Sequence, residues 1–243
     1  WRFKIQDILS DVNIYKQLRE KNPSPFAGIV RFNDSTIISS SPERLISISG
    51  KHLQTRPIAG TRPRGKSPDE DNDFAESLLA DPKESAEHVM LVDLARNDLG
   101  RVAAEGTIKV DPYRLIEKYS HVMHIVSGVK GQLMEGKDAL DLFAASFPAG
   151  TLVGAPKIRA MEIIEDMEIE GRGLYGGTAG YFDINGDMDQ AITIRTIVFQ
   201  DDEYSFQAGA GIVKDSDPQS EYHEVFAKSA ILKKALKMAG EGL

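Results

Sequence analysis

Two pairs of glutamates, far apart in the sequence, each fall where a helix is predicted. Glu84 and Glu87 lie in KESAEHVMLVDLARND, residues 83–98, and Glu221 and Glu224 lie in the later segment EYHEVFAKSAILKKALKMA. Because side chains three residues apart share one face of a helix, each pair presents two carboxylates together. Carboxylates from two helices suit a hard cation such as magnesium, which often lies between protein carboxylates and an anionic substrate. From the pattern alone, two solvated helix faces are the commoner interpretation.

Other segments offer groups that could bind an anion. Arg195 lies in the apolar segment AITIRTIV. An unpaired buried cation is costly, so we expect Arg195 to meet a carboxylate of the protein or of a substrate. The glycine-rich segments GTAGY (177–181) and GAGIV (209–213) are predicted in strands, where glycine lets backbone N–H groups approach a ligand. A bulge or tight packing explains these glycines about as well.

Two histidines, His121 and His124, occur in the segment HVMH. In a strand, residues three apart point to opposite faces, which argues against a metal shared by the two rings. One of them could titrate near neutral pH, although a structural histidine is the commoner case.

The composition narrows the class of protein. The 243 residues are enough for a sizeable core, and 41% of them are apolar, as is typical of globular proteins. There are no cysteines, which excludes disulfides, thiolate zinc sites and a cysteine nucleophile. The formal charge of -8 disfavours binding to nucleic acid or to anionic membranes. An anionic ligand would therefore need local Arg, Lys, backbone N–H groups or a cation.

The ends and the continuity of the chain bear on its setting. No apolar run reaches the length of a spanning helix and the N-terminus has no signal-peptide pattern, so we expect a cytoplasmic protein with no membrane partner. The opening WRFKIQ lacks an initiator Met and has the pattern of a strand already under way, which suggests that upstream residues are absent. Because no repeat or linker divides it, the sequence 1–243 is predicted to form one domain.

Strands are predicted to outnumber helices. Helix is predicted over 13–20, over about 72–97 with a break at Asp81-Pro82, over DALDLFAASF, over GAPKIRAMEIIEDME and over 218–239. Between them, β-branched runs bounded by polar turns predict strands, two of which flank an Asn-Gly turn at 185–186. The segment RPRGKSPDEDND (62–73) is predicted to be a surface loop. Hairpin-linked strands favour an α+β fold with antiparallel sheets over a doubly wound fold.

Several segments together resemble one family. RPIAGTRPRG, EHVMLVDLARNDLGRV, KYSHVMHIVS, FPAGTLVGAPKIRAMEII, GYFDINGDMDQAITIRT and QAGAGIVKDSDPQSEY are similar, in order and spacing, to the chorismate-binding domain of the chorismate-utilising enzymes. The resemblance covers nearly the whole chain, and within the family it is strongest to the large subunit of anthranilate synthase, component I. It implies an α+β fold of two large antiparallel sheets flanked by helices, with magnesium and a chorismate site.

By this resemblance, the two glutamate pairs converge on one cation. Glu87 and Glu224 match the magnesium ligands, and Glu84 and Glu221 match the neighbouring carboxylates that hold its waters. Because the protein carries a formal charge of -8 and chorismate is doubly anionic, the cation is also required electrostatically.

The resemblance also implies catalytic and substrate-binding groups. Glu43 matches the general acid that protonates the departing ring hydroxyl, and His124, not His121, matches the active-site histidine. An arginine fork and glycine N–H donors suit a carboxylate. The groups that hold the enolpyruvyl carboxylate are matched by Tyr175, Arg195, Gly209 and Gly211, the substrate-binding lysine by Lys228, and the ring-side contacts by Gly60, Thr61 and Thr151.

Three features depart from the family pattern. The N-terminal domain of full-length large subunits is not in this sequence, and NPSPFA stands where the family has an NPSPYM-like segment, which puts tryptophan inhibition in doubt. The strand before RF, which carries a lysine base in isochorismate and salicylate synthases, is also missing. Ala59 stands where aminodeoxychorismate synthases commonly carry a lysine nucleophile.

The resemblance therefore predicts a lyase of the anthranilate synthase type, which aminates chorismate with ammonia and eliminates pyruvate in tryptophan biosynthesis. We expect a glutamine amidotransferase subunit to supply the ammonia, because the chain has no cysteine for a glutaminase of the thiolate type. Two alternatives stay open. One is an aminodeoxychorismate synthase of the para-aminobenzoate branch, and the other is a non-catalytic chorismate-binding fragment.

Overall fold

The computed structural model describes residues 1–6, 9–119, 122–214 and 216–241. The chain forms two compact units. The first contains Trp1–Glu43, Ile164–Ala179 and Ala191–Leu243, and the second contains Arg44–Ile163 and Gly180–Gln190. The single domain expected over 1–243 stays a prediction.

Strands and helices follow one another in an order close to the one predicted. The strands are β1 (Arg2–Gln6), β2 (Phe26–Arg31), β3 (Ser35–Ser41), β4 (Arg44–Ser49), β5 (His52–Thr55), β6 (Ile58–Pro63), β7 (Lys109–Val110), β8 (Leu115–Lys118), β9 (Val122–Val126), β10 (Val129–Gln132), β11 (Thr178–Phe182), β12 (Met188–Ile192), β13 (Thr196–Gln200) and β14 (Glu203–Gln207). The helices are α1 (Asp11–Lys21), α2 (Pro68–Ala80), α3 (Pro82–Gly100), α4 (Ala139–Ser146), α5 (Gly150–Val153), α6 (Lys157–Met167) and α7 (Pro218–Gly240).

The first unit is built on a five-stranded antiparallel sheet in the order β1-β14-β13-β3-β2. Side chains alternate between the two faces of a strand, so β1 turns Phe3 and Ile5 towards the core and Arg2 and Lys4 away from it. Helices α1 and α7 lie against the apolar face. The buried core of this unit comprises Ile14, Leu18, Ile38, Ile197, Tyr204, Phe206, Leu232, Ala235, Leu236 and Ala239.

The second unit contains a six-stranded sheet in the order β11-β12-β4-β5-β10-β7 and a three-stranded sheet in the order β6-β9-β8. Leu78 of α2 packs on Met123 and Ile125 of β9, and all three side chains are fully buried. Helix α3 runs against β6. The three-stranded sheet carries the predicted site residues Gly60, Thr61 and His124, and α3 carries Glu84 and Glu87.

The break between α2 and α3 falls at the predicted Asp81-Pro82. The Asp81 carboxylate accepts hydrogen bonds from the backbone N–H groups of Lys83 and Glu84, which caps α3, and Pro82 occupies the first helical position. Proline is tolerated there because that position has no intrahelical partner for its nitrogen. The cap therefore fixes the start of α3, so that Glu84 lies in its first turn and Glu87 follows three residues later.

Most of the predicted architecture is confirmed. The fold is α+β with antiparallel sheets, and the Asn185-Gly186 turn joins β11 to β12, with Gly186 at a φ of 90°. The prediction of a loop over 62–73 was wrong in part, because β6 continues to Pro63 and α2 begins at Pro68. Ser67 caps α2, and the acidic residues after it stabilise a helix N-terminus, so this polar segment forms a helix and not a loop.

In the described part of the chain no helix is long and apolar enough to cross a membrane.

Replacing Asp81 tests the cap. Asp81→Ala removes both cap hydrogen bonds and should lower the free energy of unfolding by about 0.5–2 kcal/mol. Asp81→Asn keeps an accepting oxygen and should cost less. The Glu84 backbone N–H, together with Arg62, holds the pKa of Asp81 below its ordinary value. The Asp81 carboxylate therefore stabilises the folded protein fully at a pH above the pKa that it has in the unfolded chain. This stabilisation is lost as the pH falls through the lower pKa of the folded protein. Urea denaturation across pH checks this, and equal stability of the wild type and the alanine variant would contradict it.

Candidate active site

A β-bulge on β6 lies opposite the predicted active-site histidine. The pairing of β6 with β9 shifts between Ala59 and Arg62, so that Gly60 and Thr61 together face the single residue His124. Gly60 has a φ of 72°, a left-handed conformation that glycine adopts without strain. Bulges of this kind re-aim side chains beside active sites. His121, the neighbouring histidine of the motif, lies outside the described residues.

Both bulge residues contact the histidine ring. His124 Nδ1 lies 2.8 Å from the Gly60 carbonyl oxygen and 3.2 Å from Thr61 Oγ1. A carbonyl oxygen only accepts hydrogen bonds, so Nδ1 carries the hydrogen and the neutral ring keeps its lone pair on Nε2. This tautomer fits His124 as a base that accepts a proton at Nε2.

A chain of polar side chains extends from the histidine ring. The Tyr119 and His124 rings meet edge to face, with 5.6 Å between their centroids. The Tyr119 hydroxyl donates to Glu117 Oε2 at 2.9 Å, and Arg56 pairs with the other oxygen of Glu117. Burial, aided by the bond to Glu117, raises the pKa of Tyr119 to about 12, so its hydroxyl stays protonated. No spacing signal in the sequence marked Tyr119, Glu117 or Arg56.

The first glutamate of α3 lies directly against the bulge. A Cβ built on Gly60 would stand 3.1 Å from Glu84 Oε2 and 3.0 Å from the Leu78 side chain, so a larger residue would crowd these two side chains. Glu84 Oε1 lies 3.2 Å from Arg62, which also pairs with Asp81 at 2.8 Å. The structure thus brings Glu84, Gly60 and, through the Gly60 carbonyl, His124 into one contact chain.

Thr151 is held in a short helix with its hydroxyl unused. Among the described residues its Oγ1 is buried without a hydrogen-bond partner. The segment that follows is fixed by Lys157, whose ammonium lies 2.8 Å from Asp98 and 2.8 Å from the Ser146 carbonyl oxygen. Because an unsatisfied buried hydroxyl costs about 1–3 kcal/mol, Thr151 fits a group that bonds to a ligand.

In the first unit, α7 carries the second glutamate pair. Glu221 is buried in the first turn of the helix, whereas Glu224 is exposed. Lys228 Nζ lies 2.6 Å from Glu224 Oε1 and donates to the Gly209 carbonyl oxygen at 3.2 Å. Lys228 therefore links α7 to the glycine segment that precedes it.

The glycine segment 208–213 is not a strand, contrary to the prediction, because β14 ends at Gln207. Gly209 lies beside the Tyr175 hydroxyl, since a Cβ built on Gly209 would stand 3.2 Å from that oxygen. Burial raises the pKa of Tyr175 above its ordinary value. Gly211 lies exposed further along the same segment.

The prediction that Arg195 lies within a strand was also wrong. Arg195 occupies the break between β12 and β13 with a φ of 49°, and its carbonyl oxygen accepts from the Ser40 N–H. Burial lowers the pKa of its guanidinium, while the charge of Glu43 acts in the opposite direction. Asn22 Oδ1 lies 3.4 Å away. The charge of Glu43 thus acts on the partly buried guanidinium, and the expected pairing of Arg195 with a carboxylate stays a prediction.

The four glutamates are divided between the units, Glu84 and Glu87 in the second and Glu221 and Glu224 in the first. Within either unit, no three His, Asp or Glu side chains among the residues placed by the structure form a metal-binding group. Each pair nevertheless offers the carboxylate oxygens that magnesium prefers. The chemistry of the donors fits the ion, and the shared site stays a prediction.

Comparisons with known proteins agree on one family. The family described as chorismate binding enzyme matches residues 2–234. Anthranilate synthase component 1 of Aquifex aeolicus is 54% identical over 229 residues, which cover 94% of this chain and 46% of that protein. Aminodeoxychorismate synthase component 1 of Bacillus subtilis is 53% identical over 228 residues, covering 94% of this chain and 48% of that protein.

A solved structure gives the same picture. The crystal structure of anthranilate synthase component I from Streptococcus pneumoniae TIGR4 superposes with a TM-score of 0.89 at 43% identity, over 95% of this chain and 51% of that one. The chain thus spans about half the length of the relatives that it matches.

A double-mutant cycle on the free energy of unfolding tests whether Glu43 and Arg195 interact. Glu43→Gln removes the charge that offsets the buried guanidinium and should destabilise the protein by about 1–3 kcal/mol. In the double variant Glu43→Gln/Arg195→Gln no buried cation remains, so its loss should be smaller than the sum of the two single losses. Urea denaturation followed by circular dichroism measures all four proteins. Additive losses would show that the two side chains do not interact.

Proposed function

Because the chain belongs to the family of chorismate binding enzymes, we propose that it carries the chemistry of an anthranilate synthase component I. In this reaction chorismate and ammonia give anthranilate, pyruvate and water. The proposal includes a lyase activity, a place in tryptophan biosynthesis, a cytoplasmic setting and a glutamine amidotransferase as the source of ammonia. What supports it most is the similarity, above half identity, to anthranilate synthase component 1 over nearly the whole chain.

Ala59 supports the choice of amine. It is buried in β6, immediately before the bulge, and its methyl group has no nucleophilic atom. A covalent adduct between this position and the substrate ring is therefore excluded chemically. An external amine must attack the ring carbon next to the one that bears the carboxylate, and ammonia serves this purpose.

The remaining steps need an acid and a base. As ammonia attacks, the ring hydroxyl leaves, and Glu43 is proposed to protonate it so that it departs as water. The ring then loses a proton while the enolpyruvyl group departs as pyruvate, which makes the ring aromatic. His124 is proposed to assist this second step at Nε2, because Nδ1 donates to the Gly60 carbonyl oxygen.

We assign substrate binding to groups that can form hydrogen bonds with the carboxylates and the ring side of chorismate. Arg195 and the glycine N–H donors would hold one carboxylate of chorismate, since guanidinium and amide groups pair well with it. The buried hydroxyl of Thr151 would bond on the ring side, with Gly60 and Thr61. Tyr175 and Lys228 both lie next to Gly209 and would position the segment 208–213 against the substrate.

Magnesium would be held by Glu87 and Glu224, with Glu84 and Glu221 bonding its waters, and when bound it would neutralise the ring carboxylate. Glu84 has a second task in this chain. It keeps Arg62 beside the bulge through a 3.2 Å ion pair, so part of its charge is already balanced by the protein.

A second candidate is an aminodeoxychorismate synthase of the para-aminobenzoate branch. The Bacillus subtilis relative of that type is 53% identical, against 54% for the Aquifex aeolicus anthranilate synthase, so similarity alone separates the two poorly. The products differ in structure. Incubation of the protein with chorismate, magnesium and ammonium, followed by chromatography and mass spectrometry, tests the proposal. Anthranilate and pyruvate in equal amounts support it, aminodeoxychorismate supports the second candidate, and no turnover with intact chorismate binding supports a binding fragment.

Glu87 is expected to be required for the metal dependence. Glu87→Gln keeps the size of the side chain and removes its charge, so turnover should fall strongly and the magnesium requirement should rise, while the unfolding temperature changes little. Glu76→Gln on α2 serves as the control for loss of one surface carboxylate. Activity like that of the wild type in Glu87→Gln, or full activity in excess chelator, would rule out this role.

The source of nitrogen gives an independent expectation. Turnover with ammonium should rise with pH, because only free ammonia attacks, and glutamine should support turnover only when an amidotransferase is added. Mass spectrometry of the intact protein after incubation with chorismate and magnesium should show no covalent adduct. A stable adduct of substrate mass, or glutamine-driven product from this chain alone, would overturn the proposed use of external ammonia.

A further inference from the structure

We infer that His88 and Ser127 form a positioning pair, whose hydrogen bond fixes the glutamate helix α3 against the end of the strand that carries His124. This inference rests on the proposed function, because the pair acts on residues of the same site. Neither residue is assigned any contact with the substrate or the metal.

The pair is completely enclosed by the second unit. Both side chains have no exposed surface, and His88 Nε2 lies 2.7 Å from Ser127 Oγ. The same hydroxyl oxygen accepts from the Arg114 backbone N–H at 2.9 Å. Among the residues described, His88 Nδ1 has no hydrogen-bond partner. Ser127 is thus the point at which α3, the end of β9 and the segment before β8 meet.

The position of the pair in the sequence explains what it would fix. His88 follows Glu87 directly and lies four residues after Glu84, on the same face of the helix. Ser127 comes directly after β9, three residues beyond His124. One tie between helix and sheet is the 3.2 Å ion pair of Glu84 with Arg62 of β6, and the His88–Ser127 hydrogen bond is a second tie one turn further on. Two ties on one face fix both the rotation of α3 and its height along β9.

Stability alone gives a weak reason for this pair. The contact is a single hydrogen bond between a ring nitrogen and a hydroxyl. Apolar residues of similar volume can replace both partners of such a bond with little loss of stability. They have no directional bond, however, and would let the helix slide. Geometry is therefore the property that distinguishes the pair from an apolar contact.

Binding of Mn²⁺ in the presence of saturating chorismate tests the inference. Mn²⁺ replaces magnesium as a probe because its free form is counted by electron paramagnetic resonance. We expect Ser127→Ala and the apolar variant His88→Leu/Ser127→Ala to bind Mn²⁺ roughly tenfold more weakly, because small misplacements of ligands have large effects. Both variants remove the hydroxyl that accepts from the Arg114 backbone N–H, so both should unfold at a lower temperature than the wild type, and by a similar amount.

Two further proteins separate positioning from a general loss of packing. His88→Gln offers an amide nitrogen near the place of Nε2 and should bind Mn²⁺ more tightly than His88→Leu. Thr55→Val removes another hydrogen bond of the second unit, from Thr55 Oγ1 to the Leu45 carbonyl oxygen at 2.7 Å, and should leave Mn²⁺ binding unchanged. Steady-state kinetics at saturating Mn²⁺ should show a raised KM for chorismate in Ser127→Ala.

The outcomes also distinguish this inference from the proposed function. If the wild type binds Mn²⁺ with chorismate and the pair variants bind it equally well, the positioning role is wrong and the proposed function stands. If the variants lose stability and Thr55→Val weakens Mn²⁺ as much as they do, the pair is only part of the packing. If the wild type binds no Mn²⁺ with chorismate, both the proposed function and the positioning role fail.

Discussion

The close approach of α3 to the bulge on β6 is the constraint on which the second unit depends. Gly60 has a left-handed backbone, and a side chain there would crowd the side chains of Glu84 and Leu78. The same residue offers its carbonyl oxygen to His124. One glycine therefore sets the distance of the glutamate helix and the tautomer of the histidine together. A bulge can do this because the extra residue turns a carbonyl out of the sheet ladder and towards a side chain.

Several charged side chains of the predicted site have an opposite charge of the protein nearby, in both units. Glu84 pairs with Arg62, Glu224 pairs with Lys228, and the charge of Glu43 acts on the partly buried guanidinium of Arg195. Pairs at the surface, such as Glu224 with Lys228, contribute little to stability. Their value lies in holding each side chain in one orientation, so that a dianion such as chorismate would meet groups that are already placed. Among the described residues the buried hydroxyl of Thr151 has no hydrogen-bond partner, so it too would be available to a ligand.

The sequence predicted the features that local chemistry determines. The Asp81-Pro82 break, the Asn185-Gly186 turn and the antiparallel α+β class follow from caps, turn residues and β-branched runs, and all three are confirmed. The bulge was out of reach, because it depends on how 58–63 pairs with 122–126, some sixty residues away. The backbone of Arg195 was missed for a related reason, since an apolar run hides the positive φ of the residue directly before β13.

The predicted site residues divide in the same way. His124, Gly60, Thr61 and Glu84 come together through contacts that the structure describes, whereas the joint binding of one cation by both glutamate pairs stays a prediction. The resemblance to a family assigned roles to single residues, but it did not identify the neighbouring residues that orient them. Three such neighbours are Arg62, Tyr119 and Ser127, and each is placed by the packing of strands and helices that are distant in the sequence.

Calorimetric titration of chorismate, with magnesium present, into Gly60→Ala tests the central claim most directly. The added methyl group would stand 3.0 Å from the Leu78 side chain and 3.1 Å from Glu84 Oε2, so these side chains must shift by a few tenths of an ångström, and it strains the left-handed backbone of the bulge. The account predicts a folded protein by circular dichroism that binds chorismate roughly tenfold more weakly than the wild type, since misplacement of binding groups has large effects. A folded Gly60→Ala protein with the chorismate affinity of the wild type would contradict it.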